Sequence, residues 1–438
     1  MKKILCLVLL SVAGSASADL EATITSSGVA RTPIAIAPFA QPPGLPVDIA
    51  QIVSDDLDMS GVFKSTERSK MLEQPTEVSQ VNPRNWRVVG VNDLAIGKVV
   101  PGAAPGSISI SFQLIDVLRG DDPNAAVILN VDNVLGQDKS RLRSAAHQVA
   151  DKIYEKLTGI RGIFNTRLAY VTSTGVGQSQ RFKMIVSDFD GKNQITIATS
   201  HEPLMSPAWS PDGKKLAFVG YNRQMQAIYV QSWETGELKK VVEERGINSA
   251  PSWSPDGSKL AVTLSFERNP DIYVVDASSG ARIARLTTDG GIDTAATWSP
   301  DGRTIAWESD RGGQPQIYTM PAGGGAQTRL SFQGTRNNEP DYSPDGKLMA
   351  MTNYEGGLFR IAIMDLQSRS LRVITDGPGD EHPTFAPNGQ LLIYTSRGAH
   401  GEELKAASTD GRAHYTLGDV GNVHSAAWGP FAQPAPSN

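Results

Sequence analysis

The sequence predicts a mainly β protein, a six-bladed β-propeller preceded by a smaller α/β domain. Three observations predict it. A Trp-Ser-Pro-Asp-Gly motif returns at a near-constant period, each repeat alternates apolar and polar residues with period two, and the stretch before the repeats has a different, helix-containing texture.

The period comes first. Pro207-Ala208-Trp209-Ser210-Pro211-Asp212-Gly213 returns as Pro251-Ser252-Trp253-Ser254-Pro255-Asp256-Gly257, then as Trp298-Ser299-Pro300-Asp301-Gly302. It returns again as Pro340-Asp341-Tyr342-Ser343-Pro344-Asp345-Gly346. Pro383-Thr384-Phe385-Ala386-Pro387-Asn388-Gly389 is a weaker copy, and Ala427-Trp428-Gly429-Pro430 is the last. The aromatic positions lie 44, 45, 44, 43 and 43 residues apart, which is the length of a four-stranded blade.

Each repeat reads as an aromatic first strand followed by a tight Asp-Gly or Asn-Gly hairpin. An apolar second strand follows (215–219), then an alternating third (271–274) and a Gly-containing turn into a fourth (238–242). A helical solenoid of this period would show apolar residues every 3.6 positions, and these segments do not. The array is out of phase at its ends. Arg167-Leu168-Ala169-Tyr170-Val171 reads as a second strand with no first strand before it, and 426–430 as a first strand with no second after it. The C-terminal strand is therefore expected to complete the first blade, closing 167–430 into a ring without a free sheet edge.

Ahead of the ring, 33–39 reads as a buried strand and 47–59 as a helix with Gly61 near its end. Residues 108–117 and 126–131 read as strands. Residues 141–157 form an amphipathic helix, with Ala145, Val149, Ile153 and Leu157 on one face and Gly159 as C-cap. Together these predict an α/β domain over 32–160.

Lys2 and Lys3, the apolar run 4–13 and Ala16-Ser17-Ala18 read as a secretory signal over 1–18, cleaved after Ala18. The expectation is an exported, periplasmic protein without cysteine, because the one cysteine, Cys6, lies in the signal. Cleavage moves the formal charge from −5 to −7, which disfavours nucleic acid and anionic membranes as main partners. No later run reaches the ~18 apolar residues of a membrane helix. A flexible tail is expected over 431–438.

Catalytic signatures are missing. The sequence has no Gly-x-Ser-x-Gly elbow, no phosphate-binding loop and no His-Glu-x-x-His, so neither catalytic residues nor a cofactor are expected. Asp188-x-Asp190-Gly191-x-Asn193 resembles the start of a calcium loop, but Thr199 stands where the acidic twelfth ligand belongs, so a hairpin turn is the preferred reading. His382 and His424, with Asp380 and Glu381 nearby, could hold a cation. They fall at analogous places in adjacent repeats and read instead as mouth-lining histidines, with no metal expected. The recurrent tryptophans read as blade packing rather than as a sugar platform.

The turns after the first and third strands are short and uniform, which marks one face of the ring as structural. The variable second-to-third loops share the other face with the residues just before each first strand. That mouth is the expected binding surface.

The repeats, together with Glu67-Arg68-Ser69, Gln74-Pro75, Lys156-Leu157-Thr158-Gly159-Ile160, the 166–171 strand and Pro203-Leu204-Met205-Ser206-Pro207, resemble the TolB family of the Tol–Pal envelope system. Many propellers share the repeat, so the N-terminal motifs carry the specificity. The resemblance spans nearly the whole chain beyond the signal.

It implies a periplasmic, non-enzymatic adaptor that binds the lipoprotein Pal at the propeller mouth and TolA through the mature N-terminal segment (19–31). Such proteins maintain outer-membrane integrity and support constriction at cell division, and some bacteriocins exploit them. The Pal contacts it implies are Met205, Ser206, Ala250 and Thr294, with Asn248, Asn338, Glu339, Glu381, His382 and His424 on the same rim. The TolA strand it implies is Asp19, Leu20, Glu21, Ala22, Thr23, Ile24, Thr25 and Ser26, whose Thr-Ile-Thr core favours extended pairing with a partner sheet. Two positions depart from the family pattern: Ile247 replaces a rim histidine and Ala295 an acidic residue. A peptidase-linked propeller is the competing reading, but it needs a hydrolase domain with a Ser-His-Asp set, which the residues outside the ring do not show. A metal- or ligand-sensing propeller has only the two rim histidines in its favour.

Overall fold

A computed structural model describes residues 31–102, 107–136, 141–398, 401–417 and 421–432. The expected signal, the segment 19–31 apart from Arg31, and the tail beyond residue 432 lie outside the described residues.

The N-terminal domain is built on a five-stranded sheet. Its strands are β1 (Thr32–Ile36), β2 (Phe63–Ser65), β3 (Asp93–Pro101), β4 (Ile108–Asp116) and β5 (Val127–Gly136), in the order β2-β1-β3-β4-β5. β1 runs parallel to both its neighbours, and β3, β4 and β5 form an antiparallel meander.

Three helices cover the sheet, and their ends follow capping chemistry. α1 (Ile49–Met59) starts where the Asp48 carboxylate accepts the Gln51 N–H, and α2 (Pro83–Val89) starts with Asn82 as N-cap and Pro83 in its first turn. α3 (Leu142–Thr158) ends on Gly159 at φ +74°, as the sequence predicts. Ile49, Val53 and Leu57 of α1 and Ala145, Val149 and Ile153 of α3 pack on Ile34, Ile36, Phe112 and Leu114 of the sheet. Trp86 of α2, with Val78 and Val81, covers Leu94, Ile96 and Ile115 on the other face.

β1 stops at Ile36, three residues short of the predicted strand end, and β5 extends to Gly136, five residues past it. Sequence reading missed β3, because a strand buried on both faces shows no alternation.

The remaining strands form six four-stranded antiparallel sheets. Blade 1 comprises Asn422–Trp428, Arg167–Thr174, Arg181–Asp188 and Ile195–Ser200, so the C-terminal strand does close the ring. Trp428 pairs with Leu168, and the Gly429 N–H donates to the Arg167 carbonyl at 2.8 Å. That strand begins at Asn422, four residues earlier than the apolar text suggests, and ends at Trp428 rather than Pro430. The inner strands of blades 2 to 6 are Met205–Trp209, Asn248–Trp253, Asp293–Trp298, Arg336–Tyr342 and Asp380–Phe385.

The motif residues build one repeated turn. Ser210, Ser254 and Ser299 each donate an Oγ–H to the following aspartate at 2.6 Å, and the turn glycines Gly213, Gly257, Gly302 and Gly346 sit at φ near +70°. Two of the motif tryptophans stitch neighbouring blades. Trp209 Nε1 donates to the Ala427 carbonyl at 3.3 Å, and Trp253 Nε1 to the Ala208 carbonyl at 3.1 Å.

The weak copy of the motif has a structural cause. In blade 6, Ala386 replaces the serine and lies fully buried in the core that continues into the N-terminal domain. Asn388 replaces the aspartate, and its Nδ2 donates to the Arg161 carbonyl at 3.0 Å. Tyr415 and Ala413 of the same blade lie against Gly61. The N-terminal domain therefore sits on the short-turn face over blades 6 and 1, and the mouth face stays free of it.

The connector is tied down along its length. Asp151 accepts the Phe164 and Asn165 N–H groups at 2.7 and 3.3 Å, and Trp428 Nε1 donates to Thr166 Oγ1 at 2.8 Å. Among the described residues no helix is long and apolar enough to cross a membrane.

Asn388→Asp keeps the hairpin acceptor but loses the donor to Arg161. It should cost about 1–2 kcal/mol in the unfolding of the two-domain unit, whereas Asp345→Asn on the uncovered blade 5 should change it by less than about 0.5 kcal/mol. Chemical denaturation of both variants checks this.

Candidate functional site

The mouth is shaped by a backbone device that sequence reading did not anticipate. The inner strand of each of blades 2 to 6 slips register against its neighbour, and each slip holds a non-glycine residue in the left-handed region. These residues are Ser206 (φ 51°), Ala250 (48°), Ala295 (51°), Glu339 (54°) and His382 (58°). Proline follows in four of the five cases, and proline disfavours the ordinary helical conformation in the residue before it. Blade 1 has the register slip, between Val423 and Ser425, without a left-handed residue.

A left-handed conformation costs a residue with a Cβ about 1–2 kcal/mol, so the ring is strained where it frames the opening. That strain has a use at Glu339 and His382, whose side chains it presents to the mouth.

Those two side chains belong to a hydrogen-bonded chain across three blades. Thr294 Oγ1 donates to Glu308 Oε1 at 2.8 Å, and Glu308 Oε2 accepts the Glu339 N–H at 3.0 Å. Glu339 in turn accepts the His382 N–H at 3.0 Å and the Thr352 hydroxyl at 2.9 Å, and its second oxygen lies 2.9 Å from His382 Nε2. Desolvation opposes charge on His382, but the Glu339 carboxylate overrides it and holds the imidazole up at about 9. The same contact keeps Glu339 below the usual range despite its own desolvation. Burial, then the nearby Glu339 charge, raises both Glu308 and Glu381.

His424 is held separately, with Nδ1 3.1 Å from Glu402 and Nε2 2.6 Å from Ser173 Oγ. Asp380 is buried and accepts the Gly377 N–H at 3.1 Å. The two rim histidines and Asp380 thus point to different partners and do not converge on one point. Glu308, Glu339, Glu381 and Glu402 gather in the sector from blade 4 to blade 1, beside His382, His424 and Arg397, so the sector is rich in carboxyl groups.

The rest of the rim is different in kind. Met205, Ser206, Ala250 and Ala295 are small or apolar, and Ile247 (39% exposed), Ile292 (49%), Met225 (47%) and Phe332 (70%) stand out from the surface of blades 2 to 4. The mouth therefore has an acidic half and an apolar half.

The structure brings Thr294, Asn338, Glu339, Glu381 and His382 into the acidic sector and leaves Met205, Ser206 and Ala250 on the apolar side. Asn248 does not belong with them. It is 0% exposed, and its amide accepts the Glu244 N–H and donates to the carbonyls of Glu244 and Gly246. A polar residue next to a strand start reads as accessible in the sequence, but here it braces the incoming loop.

Glu308 and Glu402 were missed. Glu308 had a visible signal: it is a charge inside a second strand, at a position where the other blades place Thr172, Val219, Thr263, Thr352 and Thr395.

Comparison with known proteins follows the same outline. Residues 154–432 match the family described as the TolB beta propeller domain, and residues 20–122 match the TolB amino-terminal domain. A Tol-Pal system protein TolB from Thioalkalivibrio sulfidiphilus is 44% identical over 421 residues, covering 95% of each chain. The one from Xanthomonas oryzae pv. oryzae is 42% identical over 415 residues, covering 93% of this chain and 92% of its own. The crystal structure of TolB from Acinetobacter baumannii superposes with a TM-score of 0.84 at 35% identity, covering 94% of this chain and all of that one.

Ala250→Gly and Ala295→Gly relieve the left-handed penalty and lose part of it to the looser unfolded chain. Each should raise stability by roughly 0.5–1 kcal/mol, read from denaturant midpoints. A loss of stability in both would show that the ring carries no such strain.

Proposed function

The chain belongs to the TolB family and is a component of the Tol–Pal system, and on that premise we propose that it works as a periplasmic adaptor. It binds the lipoprotein Pal at the propeller mouth and TolA through residues 19–26. In that role it maintains outer-membrane integrity and supports outer-membrane constriction at division, and bacteriocins that exploit the system are further ligands of the same protein.

One observation carries the reading. Docking of the N-terminal domain on the short-turn face leaves the opposite mouth open, and that mouth combines an acidic half with an apolar half on a backbone already locked in position. A pre-set surface of this kind suits a protein partner that offers apolar side chains and at least one cationic group, because little ordering cost remains at binding.

The polar side chains of the mouth are engaged with one another: Glu339 with His382, Glu308 with Thr294, His424 with Glu402 and Ser173. This supports recognition rather than turnover. The N-terminal half of the proposal rests on sequence, on the Thr23-Ile24-Thr25 core suited to strand addition. Export to the periplasm rests on the signal-like residues 1–18.

Purified mature protein should capture a peptidoglycan-binding lipoprotein of the Pal type. Ile292→Asp and Glu339→Gln should each weaken that complex by about tenfold or more, the equivalent of about 1.4 kcal/mol. Calorimetric titration reads the effect, and unchanged affinity in both variants would remove the mouth as the site. Deleting residues 19–26 should abolish TolA binding and leave the Pal complex intact. A deletion variant that still binds TolA would refute the assignment of that segment.

A further inference from the structure

Far from the mouth, the two domains meet over a cluster of buried charges. His147 of α3 is 1% exposed, and its Nδ1 lies 2.7 Å from Oδ2 of Asp56 on α1, also 1% exposed. Its Nε2 lies 3.8 Å from Oδ2 of Asp188, at the end of the third strand of blade 1, and has no hydrogen-bond partner. Arg143, one turn earlier on α3, pairs with Asp188 and with Asp190 of the following turn, and Arg167 of the second strand pairs with Asp188 at 3.5 Å. Phe189 closes the side, edge-on to the imidazole at 5.5 Å.

The charges do not balance if His147 is neutral. Asp56, Asp188 and Asp190 then face only two guanidiniums, with little water to spread the excess. Asp151, on the next turn of α3, adds a further buried carboxyl, which desolvation raises to about 6. Asp55 of α1 and Lys192 of the blade 1 turn face each other at the margin. One added proton neutralises the cluster of three carboxylates. Burial raises Asp56 to about 7 and makes it the rival carrier, but a proton there would leave the bare Nε2 lone pair facing the Asp188 carboxylate, so the unpartnered Nε2 is where it fits. Desolvation works against that charge, but Asp56, with Asp188 and Asp190, overrides it and raises the His147 pKa to about 10.

We propose that His147, as an imidazolium, is the pin of an electrostatic latch that holds the N-terminal domain on the propeller. It donates one N–H to Asp56 of its own domain and directs the other at Asp188 of blade 1. Arg143 and Arg167 flank that bridge. Loss of the proton leaves an uncompensated carboxylate in the interface and frees the domain to shift on its seat.

A divalent cation is the competing occupant, since His147, Asp188 and Asp190 offer ligand atoms within 4.8 Å of one another. It fits less well, because Arg143 already pairs with both carboxylates and would have to be displaced.

The sign follows from the direction of the shift. A histidine raised above its ordinary value contributes fully below pH ~6.5, and the contribution is lost as pH rises through the folded value, here about 10. The test uses the mature protein, which retains no native cysteine, spin-labelled through Val88→Cys and Glu237→Cys, both exposed sites on different domains. Pulsed dipolar spectroscopy should give one narrow distance from pH 6 to 8, broadening as pH approaches 10.

With His147→Gln the distribution should be broad and flat with pH, and with Asp56→Asn the broadening should begin at least one pH unit lower. NMR of histidine-labelled unmodified protein should show two imidazoles still charged at pH 8, those of His382 and His147, with His147 the one that remains in His382→Gln, a readout that survives if the interface variants fail to fold. A His147 imidazole that titrates below pH 7 would overturn the latch. So would added Zn²⁺ at pH 7 shifting the His147 resonances, which would make the cluster a metal site.

Discussion

Ring closure constrains everything else in this molecule. Six sheets around an axis are held as a closed ring when strands from the two ends of the array join in one sheet, and here Asn422–Trp428 enters the sheet that begins at Arg167. Both ends of the propeller sequence consequently meet in blade 1. The connector at 158–166 leaves from the same seam, held by Trp428 Nε1 on Thr166 and by Asp151 on the backbone of 164 and 165. The N-terminal domain can only settle close to that seam, and it covers blades 6 and 1. The opposite face is left uncovered by the geometry of closure, before any side chain is considered.

Departures from the repeat mark where the ring meets something else. Four blades keep the Ser-Pro-Asp-Gly turn, whose hydroxyl and carboxylate satisfy each other and the turn backbone. The turn loses its serine and aspartate in blade 6, where Ala386 enters a shared apolar core and Asn388 needs a donor for Arg161. At the other face, Glu308 interrupts an apolar strand and starts the chain that runs through Glu339 to His382. Regular positions hold the blades together, and irregular ones connect them to their surroundings.

The molecule handles buried charge in two ways. At the mouth, a partly exposed imidazole and its carboxyl neighbours form a polar sector within reach of solvent, where a partner can complete it. At the domain interface the cluster around His147 is sealed, and its balance has to come from within. The first arrangement suits association and the second suits a fixed relation between domains.

The architecture was legible in the unfolded chain: the blade count, the hairpin turns, the capped helix ending at Gly159 and the closing strand. These depend on short-range patterns of period and turn chemistry, which survive in a linear text. It also pointed to the mouth, because loop variability against a rigid repeat is visible one residue at a time. Which mouth residues come together was fixed by the packing of the folded ring. The left-handed bulges at Ser206, Ala250, Ala295, Glu339 and His382 depend on pairing between strands, and Asn248 turned inward because its loop needed a cap. The buried set of Asp56, Arg143, His147, Arg167, Asp188 and Asp190 was equally illegible, since its members come from two domains. Asp188 and Asp190 do belong to the hairpin turn that the sequence predicts, and their pairing with α3 was hidden because partners this distant in sequence become neighbours only through folding.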